Sequence, residues 1–194
     1  MAVRKTLQIG DPKLKAKNIL IKDINSKGSR KLIKDLVDTM RRNELVGMAA
    51  PQIGENYQLF ITEARKTKSR IQDQSDELRV FINPKILKFS KEENIIYEGC
   101  GSVLNGNLFG PVKRPREITI EASDKSGKRF QLRCDGLLAR VIQHEYDHLN
   151  GIEFTEKVYD YKKLMTYEHY KKNIKKSPLQ ISNSKITIKE IHYL

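Results

Sequence analysis

Tryptophan is absent, and cysteine occurs only twice in 194 residues, as Cys100 and Cys134. Two thiols make no disulfide framework, so the chain must fold on its apolar core, and a reducing, cytoplasmic compartment fits it best. Long apolar runs are missing as well, so no membrane span is expected. The first residues, Met1-Ala-Val-Arg-Lys-Thr, carry charge with no apolar stretch behind them, unlike a signal peptide. No internal repeat of any period is present. Acidic residues are also scarce: 24 Asp and Glu stand against 37 Lys and Arg, a net charge of +13. The excess gathers at the ends, with eight Lys/Arg against two acids over residues 1–30 and nine Lys against three acids over 157–194. Such ends attract a polyanion such as RNA in a salt-dependent way, or serve solubility alone. Few aromatics lie among these lysines, so sequence-specific base stacking is not indicated. Hydrophobic content of 38% is low and charged content of 31% high, without reaching the composition of a disordered chain.

What the chain does contain is a succession of short periodic segments. Leu32, Ile33, Leu36, Val37 and Met40 recur at helical spacing and predict an amphipathic helix from Ser29 to about Asn43. The next segment, Leu45 to Gly54, combines Gly47, Ala49, Ala50 and Pro51, small or rigid residues that let another backbone or a ligand approach closely. It reads as a tight turn before a strand from Tyr57 to Thr62. Residues 64–78 are polar and patternless, as in an exposed loop. Short β-type runs follow at Val80–Ile82, Ile86–Phe89, Ile95–Tyr97, Ile118–Ile120 and Phe130–Leu132, with Gly, Pro or Asn near their ends. A helix is expected from about Asp135 to Asn150, with Gly151 as its stop. The fold class is therefore α+β: antiparallel β-sheets packed around a central helix, with an N-terminal helix and a basic C-terminal extension.

The predicted central helix carries His144-Glu-Tyr-Asp-His148. Histidines four apart on a helix differ by about 40° around the axis and roughly 6 Å along it, so both rings reach one ion. Glu145, about 100° from His144, can lean toward a water on that ion. The pattern His-Glu-x-x-His is a metal site with a built-in general base, and its chemistry is hydrolysis. Cys100, between two glycines in Glu98-Gly-Cys-Gly-Ser102, reads either as a small buried turn residue or as a thiolate ligand for zinc or iron. Cys134, at the end of a predicted strand, reads as structural.

Three segments, Gly47-Met-Ala-Ala-Pro-Gln52, Glu98-Gly-Cys-Gly-Ser102 and Gln143-His-Glu-Tyr-Asp-His148, resemble in this order the three motifs of the peptide deformylases. Val112-Lys-Arg-Pro115 and Asp135-Gly-Leu-Leu138 are similar to that family too, and the likeness spans roughly residues 5–155. The resemblance implies that Cys100, His144 and His148 bind one divalent metal, commonly iron(II) in the family, with zinc, nickel or cobalt able to replace it. It implies Glu145 as general base and then acid, Gln52 and the Gly101 N–H as donors to the formyl oxygen, and Val46, Gly47, Glu98 and Gly99 along the substrate. The implied substrate is the formyl-methionyl end of a nascent polypeptide. A catalytic region over residues 1–157 is expected, followed by a basic extension over 158–194. Within the extension, Val158 to Lys176 reads as an amphipathic helix suited to docking on the ribosome, and the weak alternation over 179–193 as a possible strand.

Two positions depart from the resembled motifs. Leu45 stands where a further glycine is usual, and Gly101 where leucine is usual; the segment Leu104 to Pro111 also differs from the connection typical there. Two rivals remain open. A metalloprotease of another His-Glu-x-x-His family would need a later ligand, for which Glu168 has plausible spacing and Phe154 stands where a third histidine would be. A ribosome- or RNA-associated relative with altered or lost activity would keep the fold alone.

Overall fold

The computed structural model describes residues 3–68 and 75–194. Helix α1, Lys27–Arg42, begins where the Ser26 hydroxyl accepts the Ser29 N–H at 3.1 Å, the usual way of satisfying an orphan donor at a helix start. It buries Leu32, Leu36 and Met40, with Ile33 and Val37 half-buried beside them. At its end Glu44 turns left-handed (φ 55°), so that Glu44 N–H reaches Arg41 O (3.2 Å) and Leu45 N–H reaches Met40 O (3.0 Å). These two bonds form a Schellman termination and fix the direction in which Leu45 leaves the helix.

Seven strands follow: β1 (Gly47–Ala49), β2 (Leu59–Thr62), β3 (Arg79–Phe89), β4 (Glu93–Gly99), β5 (Leu108–Pro115), β6 (Glu117–Ser123) and β7 (Arg129–Asp135). Helix α2, Gly136–Leu149, comes next. The chain then forms β8 (Met165–Thr166), α3 (Tyr167–Asn173), α4 (Pro178–Asn183) and β9 (Ile188–Tyr193). One antiparallel sheet runs β1-β2-β3-β6-β7-β9 and a smaller one β4-β5-β8. Helix α2 lays Leu138, Ala139, Ile142 and Leu149 on the larger sheet, against a core that includes Phe60, Phe81, Ile120 and Leu132. The helix ends in a second Schellman turn: Gly151 (φ 69°) bonds His148 O at 3.1 Å and Ile152 bonds Asp147 O at 2.9 Å. The expected α+β outline therefore holds, with α2 at its centre.

Four expectations need correction. The Leu45–Gly54 segment is more than a turn, since Gly47–Ala49 pair with Phe60–Thr62 as β1. Strand β5 escapes a propensity reading because it contains Gly110, Pro111 and Pro115. Gly110 is required there by contact, as a Cβ would lie 2.8 Å from Leu164 Cδ2 and 2.9 Å from Val158 Cγ2. Pro111 is tolerated because its carbonyl accepts from Tyr159 N–H (3.2 Å), outside the β4 pairing, so its missing N–H lies on that same side. The supposed exposed loop at 64–78 is not wholly exposed: Ala64 and Asp76 are buried, and Asp76 pairs with Arg79; its residues 69–74 lie outside the described residues.

The fourth correction concerns the tail. A helix from Val158 to Lys176 is not formed; a 3-10 turn (Tyr161–Lys163) and β8 precede α3. Tyr170 is buried and stacks on Phe109 with ring centroids 4.1 Å apart. Buried Gln180 accepts the Tyr97 N–H at 3.0 Å. Residues 178–183 are helical, but the weak alternation is real from Ile188, where β9 pairs with β7 and sets Ile191 opposite Leu132.

Candidate metal centre and cleft

The site forms where α2 faces the end of β4. His144 and His148 project from one face of the helix with ring centroids 5.0 Å apart. Gly99 ends β4 in a place only glycine fits, since a Cβ would lie 2.8 Å from the Phe109 ring. The next residue, Cys100, then points its sulfur at the helix, with Sγ 3.2 Å from His148 Nε2. The ligand atoms of Cys100, His144 and His148 all lie within 4.8 Å of one another. One soft thiolate and two imidazoles in this space suit zinc or iron, and the set leaves room for a further ligand.

A buried ionic network holds the trio. Glu98 accepts from Arg114 Nε (2.8 Å) and Nη2 (3.1 Å), from Arg140 Nη1 (2.9 Å) and from His144 Nδ1 (2.8 Å). The carboxylate on Nδ1 orients the His144 ring and leaves its other nitrogen for an ion, the usual arrangement behind a metal-ligating histidine. Arg114 also reaches Asp147, so α2 is tied to β4 and β5 at the level of the site. Burial opposes ionisation of Glu98, but Arg114, the His144 hydrogen bond and Arg140 together hold its carboxyl well below the ordinary range. The histidines are pushed apart. Burial opposes charge on His144, yet hydrogen bonds with Cys100 and Glu98 raise it well above its usual value. Burial and then the neighbouring His144 hold His148 well below.

Glu145 is 4% exposed, and its Oε2 has no hydrogen-bond partner among the described residues. Burial pushes its carboxyl up to about 7, with the charge on His144 partly opposing. Gly47 explains how it fits, because a Cβ there would fall 2.5 Å from Glu145 Oε1 and 2.6 Å from Val141 Cγ1. Gln52 is equally fixed: its Oε1 accepts the Ala49 N–H at 2.8 Å, which turns Nε2 toward Ser102 Oγ (3.2 Å) and Cys100 Sγ (3.6 Å). The Gly101 carbonyl accepts from Gln8 Nε2 at 2.9 Å. Cys100, His144, Glu145, Gln52 and Gly101 border one cleft of about 400 Å³, as do Val46, Gly47, Glu98 and Gly99.

Cys134 is buried at the end of β7, where burial raises its thiol pKa, consistent with a structural residue. Glu168, the ligand a metalloprotease would need, has a side chain 78% exposed. Phe154 is buried and stacks on His144. Sequence reasoning missed Arg114, Arg140, Asp147 and Ser102. A signal for Arg140 existed, since residues 140, 144 and 148 share one helical face. Tyr167, which reaches the cleft from α3, had none.

The fold and this constellation define a class, an α+β hydrolase with a protein-built site for a metal ion. Comparison with known proteins gives the family. The model of the polypeptide deformylase family matches residues 3–164, and the chain belongs to that family. It is 39% identical over 150 residues to the peptide deformylase of Dictyoglomus thermophilum, covering 77% of this chain and 89% of that protein. The structure of a Met-Ala-Ser-bound class I type b peptide deformylase from Acinetobacter baumannii aligns with a TM-score of 0.75 at 31% identity, covering 81% of this chain and all of the other. A Synechococcus elongatus peptide deformylase in complex with actinonin aligns at 0.73 and 31%, covering 84% and 82%. Membership makes the chain a metal-dependent hydrolase of the N-formyl group on formyl-methionyl peptides, and it favours neither rival reading.

Proposed function

We propose that Cys100, His144 and His148 hold the metal, that Glu145 moves the protons, and that Gln52 and Gly101 stabilise the oxyanion as formate is released from nascent polypeptides. The observation that carries this is the convergence of the three ligand atoms within 4.8 Å beside a buried carboxylate. A divalent ion bound there supplies Lewis acidity that makes a water nucleophilic near neutral pH. The Glu145 carboxylate takes a proton from the attacking water and later returns it, as a positioned general base and acid does. As the formyl carbon becomes tetrahedral, its oxygen gains charge. The Gln52 amide and the Gly101 N–H donate to it, each contributing on the order of 3 kcal/mol if they act like oxyanion donors elsewhere. Glu145 then delivers its proton to the amine as the C–N bond breaks, leaving formate and a free N-terminus.

Glu98 has both oxygens engaged, so we assign it to orienting His144 rather than to contacting substrate through its carboxylate. Val46, Gly47 and Gly99 are left to border the substrate backbone. Iron(II) is the ion we assign in the cell, with zinc, nickel or cobalt able to replace it, and the compartment is the cytoplasm. Residues 1–157 carry the chemistry, with 158–194 packed on them. Glu145→Gln should keep its metal and lose about 10²- to 10⁴-fold in formate release. Comparable turnover in that variant would mean that the base is misassigned.

The net charge of +13 supports a second element, docking of the basic C-terminal region on ribosomal RNA. Lys162, Lys172 and Lys176 are exposed there. Reversing all three to Glu should weaken salt-sensitive ribosome binding while sparing formate release from a free peptide. Unchanged binding would remove the docking idea and leave the enzyme assignment intact.

A further inference from the structure

The two positions at which the chain departs from the resembled motifs touch each other. A Cβ built on Gly101 would lie 2.9 Å from Leu45 Cδ1, 3.6 Å from Cδ2 and 3.8 Å from Cγ. The Leu45 side chain thus occupies the space into which a side chain at 101 would project. Gly101 does not have a positive φ, so its backbone does not demand glycine; a side chain there would instead have to move the Leu45 methyl groups aside.

Leu45 is not a loose flap. Its N–H is bound by Met40 O at 3.0 Å in the Schellman turn, and its carbonyl accepts from Arg65 Nη2 at 3.0 Å. Val46 O accepts from Glu63 N–H at 2.8 Å. The opposite side is fixed as well, with Gly101 O held by Gln8 and Ser102 O accepting the Ile9 N–H at 2.7 Å. Two pinned backbones therefore hold the contact at a set width. Among the residues lining the cleft, Cys100, Gln52 and Val141 are buried, Leu45 and Tyr167 half-buried, and Arg42 and Lys68 exposed. With the formyl end placed at Gly101 N–H and Gln52, Leu45 is the half-buried side chain set against Gly101, where the substrate chain would leave toward solvent.

We propose that Leu45 is a specificity-determining residue, a wall supplied from the end of α1 that restricts the size of the side chain following formylmethionine, with Gly101 as its complement. This rests on the deformylase reading of the same site. The apolar wall works by volume: a side chain that would overlap the Leu45 methyl groups must turn them to another rotamer, since the backbone that carries them is held.

The test is a double-mutant cycle on the metal-loaded enzyme. Leu45→Gly, Gly101→Leu and the double variant are assayed for formate release from formyl-Met-Ala and formyl-Met-Leu peptides, with thermal unfolding followed in parallel. Leu45→Ala serves as a second variant should glycine after the helix end prevent folding. Removing Leu45 should raise the kcat/KM ratio of formyl-Met-Leu over formyl-Met-Ala by about tenfold, mostly in KM, the scale on which apolar pockets discriminate. Gly101→Leu alone should lower the unfolding temperature, and adding Leu45→Gly should recover it and return the ratio toward the native value. An unchanged ratio in Leu45→Gly and Leu45→Ala, or Gly101→Leu tolerated equally with and without Leu45, overturns the inference and leaves the deformylase reading standing. Native enzyme that releases no formate from either peptide overturns both.

Discussion

The two ends of the cleft are built on opposite principles. At the buried end, charge is concentrated and every oxygen of Glu98 is engaged; Arg114 and Arg140 are at most 6% exposed along their side chains. At the outer end the walls are Leu45 and Tyr167, held mainly by packing and backbone bonds. A buried ionic network fails when one member is removed, because the others stay buried without a partner. A packed wall gives by a rotamer and alters only what fits against it.

The largest effect is expected at the point where the buried end meets the metal. Cys100→Ala should drop bound metal from one equivalent toward none, as measured by elemental analysis of anaerobically purified protein, and formate release should fall with it. Full metal retention in that variant would show that the thiolate is not a ligand and would erase the distinction between the two ends.

Next is Glu98→Gln, which takes away the carboxylate shared by two buried guanidinium groups, with Arg114 keeping Asp147, and should destabilise the fold by about 3 kcal/mol. It also has a pH signature. Glu98 is held well below its ordinary value despite burial, by Arg114, the His144 bond and Arg140. Its contribution is therefore complete above an unfolded-state pKa of about 4.3 and is lost as pH falls through the lower folded-state value. In a chelator, the native unfolding temperature should climb with pH up to about that point, and the variant should climb less. Equal slopes would place the acid sensitivity elsewhere.

The smallest effect should come from the outer wall. Tyr167 lies against Phe109 with ring centroids 5.9 Å apart, and its hydroxyl donates to Lys68 O at 3.0 Å. Tyr167→Ala should cost about 1 kcal/mol of stability, the scale of an aromatic pair. It should change KM for longer formyl-peptides while kcat and metal content hold. A fall in kcat with unchanged KM would mean that the outer end reaches into the chemistry.

The same division explains what the sequence disclosed. Local patterns were legible: the α1 and α2 periodicities, the Gly151 stop, and the His144-Glu-x-x-His148 spacing are each written within one turn or one helix. Cys100 could be paired with those histidines only through resemblance, since its proximity depends on β4 ending at Gly99 against Phe109. Strand β5 was hidden because its Gly110 and Pro111 serve contacts with residues far along the chain. The Glu98–Arg114–Arg140 network was hidden for the same reason, its members coming from β4, β5 and α2. The tail misled because its spaced apolar residues and lysine pairs suggested one amphipathic helix from Val158 to Lys176, whereas Tyr170, Gln180 and half-buried Ile191 each pack against a different strand. Leu45 and Gly101 were visible as departures, but only the fold brings them into contact.

Every step of the proposed chemistry depends on one ion shared by Cys100, His144 and His148. Anaerobically purified protein should carry one equivalent of divalent metal, release formate from a formyl-Met peptide, lose that activity to a chelator and regain it when iron(II), nickel or cobalt is returned. Undiminished formate release from protein shown to be metal-free would contradict it.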